Sequence, residues 1–169
     1  MGSTSRSAGI GILREHLDMA LPLRRWMMWM TALLCLALCA ASPVCAAERL
    51  SVSASLANVR ANPDTASDTL WRMERYHPLV VLEKKGPWVR FRDFEGDEGW
   101  MHRSLLDKTP TIIIKVSRAN IRSGPGKSHS LVFDAEKGTP FKVLKKEGRW
   151  LQVQHTDGDT GWVFDALVW

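Results

Sequence analysis

Apolar and polar residues alternate in short runs along most of the chain after about position 49. "LSVSASLANVR" (Leu50–Arg60) and "TIIIKVSRANIR" (Thr111–Arg122) are rich in β-branched side chains, and each predicts one strand. A polar stretch follows each, "ANPDTASDT" or "SGPGKSHS", and reads as a long loop. "LVVLEKK" and "FKVLKKE" predict a second strand, and a Gly then turns the chain into "WVRFR" or "WLQVQ". There Val89 and Phe91, or Leu151 and Val153, share one face, while Trp88, Arg90 and Arg92 share the other. "DFEGDEGW" and "HTDGDTGW" carry the Gly/Asp signature of hairpin turns. "RSLL" and "DALV" predict a short helical turn at the end of each set.

These elements come in pairs because the sequence is duplicated. Shifted by 62 positions, the stretch from about Arg49 to Leu106 lies on its own continuation without a gap. Asn58/Asn120, Arg60/Arg122, Pro63/Pro125, Gly86/Gly148, Trp88/Trp150, Gly99/Gly161 and Trp100/Trp162 are identical pairs. Such self-similarity marks a repeated structural unit. Short strands with frequent turns in about 55 residues describe a small barrel, since closing a sheet removes its edges and lets few residues enclose a core. The expected fold is therefore all-β: two tandem small barrels over 48–108 and 109–169. Only "DKTP" (Asp107–Pro110) separates them, so the copies are expected to pack together.

The pattern "ANIRSGPG", then "KKEGRWLQVQHTDGDTGWVFDAL", resembles the bacterial Src-homology-3-like (SH3b) domain family. The matching positions are Asn120, Ile121, Arg122, Gly124 and Pro125, then Gly148 and Trp150, then Gly161, Trp162 and Val163. The first copy matches with Asn58, Val59, Arg60, Pro63, Gly86, Trp88, Gly99, Trp100 and Met101. The likeness spans nearly all of the chain after position 47. It implies an SH3-like barrel in an exported module that binds cell wall or protein. The first copy departs where Asn62, Asp64 and Tyr76 replace Gly124, Gly126 and Gly138. Asn tolerates φ > 0 better than most residues, so Asn62 is expected to keep a left-handed turn and the loop its shape.

Residues 1–47 read as a signal peptide. Arg24 and Arg25 precede the charge-free run "WMMWMTALLCLALCAA", and small residues follow at "SPVCAAE". The run is slightly short for a membrane span. An uncleaved anchor helix is the alternative, and Met1, Met19 or Met27 each fits as the start. All three cysteines, Cys35, Cys39 and Cys45, fall in this segment. The processed chain would then have no disulfide, thiolate nucleophile or Cys-based metal site. It would keep 19 Lys+Arg and 16 Asp+Glu of the 23 and 18 in the whole chain. That balance gives no argument for nucleic acid. Any membrane contact is assigned to the N-terminal segment alone, and the expected location is periplasmic or cell-envelope.

The candidate chemistry is recognition rather than catalysis. Asn58, Arg60, Asn120 and Arg122, with Gly124 and Pro125, read as loop structure: Asn bonds backbone at turns, and Arg ties a long loop by donating to its carbonyls. Trp100 and Trp162 read as packing. Trp88 and Trp150 face away from the predicted core and suit a stacking groove; with Tyr76 and Arg90 they are the ligand-binding candidates. The acidic turns around Asp97 and Asp159 lack the ligand run of a calcium loop. His77, His102, His129 and His155 do not recur between copies, so no metal or cofactor is expected. No nucleophile elbow, phosphate loop or dinucleotide fingerprint is present. The expected partner is a cell-wall peptide or an envelope protein. An anchored structural scaffold and a wall hydrolase are the competing readings.

Overall fold

A computed structural model describes residues 47–169. The expected signal-peptide helix lies outside the described residues. Within them the protein is all-β, apart from two short 3-10 turns at Arg103–Leu105 and Asp165–Leu167. Thirteen strands follow in chain order. The first seven are β1 (Arg49–Val52), β2 (Leu56–Arg60), β3 (Thr69–Glu74), β4 (Pro78–Lys85), β5 (Trp88–Arg92), β6 (Glu98–His102) and β7 (Leu106–Asp107). The others are β8 (Thr111–Ile113), β9 (Arg118–Arg122), β10 (Leu131–Glu136), β11 (Pro140–Glu147), β12 (Trp150–Gln154) and β13 (Thr160–Phe164). They build two antiparallel sheets, ordered β3-β2-β6-β5-β4-β1-β7 and β10-β9-β13-β12-β11-β8.

Two expectations need correction. Each long N-terminal run is two strands, not one, because the chain changes neighbours part-way: β1 pairs with β4 and β7, whereas β2 pairs with β3 and β6. The strands β3 and β10 were not predicted at all. "TLWRME" and "LVFDAE" adjoin the polar loops and keep only one buried side chain each, Met73 and Ala135.

The 62-residue offset extends to individual hydrogen bonds. Tyr76 N–H donates to Val52 O and Gly138 N–H to Ile114 O; Arg103 N–H donates to Pro87 O and Asp165 N–H to Arg149 O. β4 and β11 each carry a bulge at the same place, which turns Leu82 and Leu144 outward, 39% and 44% exposed. The cores differ in a compensating way. Leu79 and Phe91 are fully buried in the first copy, and Phe141 and Val153 occupy those positions in the second. Each core thus holds one fully buried Phe, on opposite strands of the hairpin, which conserves volume.

β8 explains the unbroken run "TIII". Ile112 and Ile114 belong to the second core, yet Ile113, on the other face, is also fully buried. β8 also touches β4 of the first sheet. Both its faces are covered, so both need apolar residues. Around this contact Lys137 Nζ donates to Glu95 Oε1 at 2.7 Å, and the Arg49 guanidinium stacks 4.3 Å above the Trp169 ring. Ser51 Oγ, buried, donates to Asp107 Oδ1 at 2.7 Å and lies 3.0 Å from Thr109 O, fixing the connector.

Glycine is required where β6 crosses β2. A Cβ on Gly99 would overlap Val59 Cγ1, and one on Gly161 would overlap Ile121 Cγ2. Both obstacles are buried, β-branched and stiff. Gly99→Ala and Gly161→Ala are each expected to cost about 1–3 kcal/mol, the usual range for overpacking. Urea denaturation of the two variants should show similar losses, since the two crossings are built alike.

Candidate functional site

The approach of β6 to β2 leaves a hollow on the first sheet. A cavity of about 390 Å³ opens between β2, β3, β5 and β6, lined by Leu56, Asn58, Arg60, Thr65, Arg72, Trp88, His102 and Leu105. The β5–β6 register sets Trp88 opposite His102, and their rings meet edge-on at 5.4 Å. Trp88 is only 8% exposed: it faces away from the core as expected, but His102 covers it. Its ring forms part of the cavity wall. His102 is itself held, with Nδ1 2.7 Å from Ser104 Oγ at the start of the 3-10 turn.

Alternation along β2 buries Ala57 and Val59 and sends Leu56 and Asn58 outward. Asn58 and Asn120 are therefore exposed mid-strand residues, not the turn residues expected. Arg60 Nη1 donates to Ser67 O at 2.6 Å and Arg122 Nη1 to His129 O at 2.8 Å, so each Arg ties down the loop after its strand. The loops share a backbone pattern: Asp64 N–H to Asn62 O, like Gly126 N–H to Gly124 O, and Ser67 N–H to Asp64 O, like His129 N–H to Gly126 O.

That shared shape does not rest on a left-handed residue. Asn62, Gly124 and Gly126 all have negative φ, which overturns the expectation for Asn62. The reason for Gly124 is space. A Cβ there would lie 2.5 Å from the His129 ring. In the first copy the smaller Ser67 stands opposite, and its Oγ accepts from Asn62 N–H at 2.9 Å. Asn62 with Ser67, and Gly124 with His129, are two ways to fill one gap. The left-handed position is instead Tyr76, φ 70°, matched by Gly138, φ 89°. Pro125, beside Gly124, is half-buried in the loop.

Of the four groove candidates only Trp88 lines the cavity; Trp150 belongs to the second sheet, and Tyr76 and Arg90 stand elsewhere on the first copy. Tyr76 does not line it and has the Arg75 guanidinium over its ring at 5.5 Å. Arg90 does not line it either, because the outer face of β5 sets it beside Glu98, with Nη2 2.7 Å from Oε2. Arg92 and Arg90 together hold the Glu98 carboxyl below the usual range, against a smaller opposing effect of burial. Trp100 is half-buried and Trp162 is 8% exposed.

The corresponding place on the second sheet differs. Trp150 packs on Phe164, the counterpart of His102, at 5.4 Å. Arg149 lies 4.4 Å over Phe164 and bonds Asp165. Arg118 Nε donates to Asp134 Oδ2 at 2.7 Å, which lowers the Asp134 pKa and raises that of Arg118. A separate hollow of about 480 Å³ on this sheet holds Asp134, Glu136, His155, Asp157 and Asp159 among Phe133 and Phe141. No group of side chains among the described residues is arranged to hold a metal ion.

The Bacterial SH3 domain family matches residues 53–108 and again 115–169. The chain belongs to this family. Its first copy and its second are therefore tandem bacterial SH3 domains by sequence. The chain is 38% identical over 56 residues to a putative N-acetylmuramoyl-L-alanine amidase, YrvJ, of Bacillus subtilis, covering 33% of this chain and 11% of that protein. It is 33% identical over 64 residues to a probable cell wall amidase, LytH, of Staphylococcus epidermidis, covering 37% of this chain and 22% of the relative. The chain thus spans less than a quarter of these curated relatives. Among solved structures it is similar to an NlpC/P60 family protein from Bacillus cereus, with TM-score 0.36 and 15% identity over 72% of this chain and 56% of that one.

Sequence reasoning missed Leu56, Thr65, Arg72 and His102 as cavity residues. The available signal lay in the differences between copies: Leu56/Arg118, Thr65/Lys127, Arg72/Asp134 and His102/Phe164.

His77 lies outside this site. His77 Nε2 is buried without a hydrogen-bond partner, with the Phe94 ring 5.9 Å away. Burial pushes its pKa below 6.5, opposed by Asp93, Glu74 and Glu95. The folded protein therefore binds this proton less readily than the unfolded chain. The stability contribution is complete above pH 6.5 and is lost as pH falls below it toward the folded pKa. Urea midpoints between pH 7.5 and 5 should fall on acidification, and His77→Gln should flatten that slope.

Proposed function

We propose that the protein is an exported, non-enzymatic binding protein in which residues 48–108 and 109–169 act as two SH3-like barrels that hold a cell-wall peptide or an envelope protein. The observation that carries this reading is the cavity walled by Trp88 and His102 beside the Arg60-anchored loop. It offers an aromatic surface, outward amide and guanidinium donors, and a rigid rim. Those are the requirements for docking an extended peptide, where side-chain anchors and hydrogen bonds share the work.

The named relatives support the cell-wall partner. Two of them are called amidases of the cell wall or of N-acetylmuramoyl-L-alanine, and this chain matches only a small part of each. A wall-binding role fits a module carried by such enzymes.

Co-sedimentation with purified sacculi tests the proposal. The protein should pellet with them, and Asn58→Ala, a change at an exposed cavity residue expected to cost little stability, should weaken retention severalfold. Zymography on the same sacculi should show no clearing. Absence of retention would contradict binding, and clearing would contradict the non-enzymatic assignment.

A further inference from the structure

The two copies share a scaffold but differ in how their charges are used. On the second sheet Arg118 is spent on Asp134, 2.7 Å away. On the first, Leu56 and Arg72 hold those two positions. Among the described residues no carboxylate lies within ion-pair distance of Arg72 or Arg60, and no acidic residue lines the cavity. Glu74, one pleat along β3 and opposite Leu56, makes no ion pair with Arg72. Arg72 stands directly across from Asn58, and Arg60 is two residues further along β2 on the same face. Arg60 commits Nη1 to Ser67 O, leaving other guanidinium donors free.

The geometry points to a carboxylate-binding subsite in the first copy alone: Arg72, across from Asn58, and Arg60, two residues along from it on the same face, take the carboxylate of a peptide. Leu56 and Leu105 supply apolar lining in the same cavity, which suits a small apolar residue beside that carboxylate. The second copy lacks the subsite because Asp134 occupies the Arg72 position and already neutralises a cation. This assignment rests on the peptide-binding reading and adds the ligand's charge and the copy that reads it. Guanidinium donors toward a carboxylate are among the stronger hydrogen bonds available, and their loss leaves a measurable deficit.

The probes are N-acetyl-Ala-Ala with a free C-terminal carboxylate and the same dipeptide as its C-terminal amide, each titrated into the protein while the backbone amides of residues 56–60 are followed by NMR. The acid is expected to bind at least about tenfold more tightly than the amide. Arg72→Gln, an exposed mid-strand change, should erase that preference. Leu56→Arg with Arg72→Asp, which writes the second copy's ion pair into the first, should erase it too. Equal affinity for acid and amide, or a preference that survives Arg72→Gln, overturns the carboxylate assignment while leaving peptide binding intact. Inorganic phosphate binding as tightly as the acid overturns peptide specificity. If neither dipeptide moves these amides although sacculi still retain the protein, the subsite is wrong and wall binding lies elsewhere.

Discussion

The close crossing of β6 over β2 is the constraint on which the rest of each copy depends. Gly99 and Gly161 bring the backbone against Val59 and Ile121, and no other residue fits there. A single bridge joins the strands at this point, Arg60 to Trp100 in one copy and Arg122 to Trp162 in the other. Because β2 and β6 meet, the outward residues of β2 face the Trp88–His102 pair across a narrow gap. The arginine that ends β2 then anchors the loop forming the rim. Core closure and cavity geometry have one cause.

The duplication makes the physical roles separable. The structural devices recur in both copies: the glycine crossings, the loop ties of the arginines, the bulges at Leu82 and Leu144, the backbone bonds at the turns. What differs does so either in compensation or in chemistry. Leu79 with Phe91 against Phe141 with Val153 is compensation within the core. Asn62 with Ser67 against Gly124 with His129 is compensation within a loop. Leu56, Arg72 and His102 against Arg118, Asp134 and Phe164 has no such balance in packing. It changes the charge and shape of an exposed hollow.

The strands with strict alternation, β5 and β12, were legible in the sequence to the residue, and the short helical turns were legible in place, each ending one residue before the expected stretch does. The break between β1 and β2 was not, because alternation continues through Ser53–Ser55 while the hydrogen-bonding partner changes. The left-handed site at Tyr76 was hidden for a different reason: an aromatic residue with φ of 70° is not what propensity predicts. Trp88 was legible as a cavity residue from its place after a turn and opposite the core. Arg72 and His102 were not, since reading a repeat by its identities discounts the positions that changed, and here those carry the chemistry.

The central claim is that one scaffold carries two unequal surfaces, of which the first is open to a ligand. The indole Nε1–H resonances of Trp88 and Trp150 report on each surface separately. Addition of soluble peptide fragments released from cell wall should shift the Trp88 resonance and leave Trp150 unmoved. Equal shifts of both, or a shift of Trp150 alone, would contradict the account.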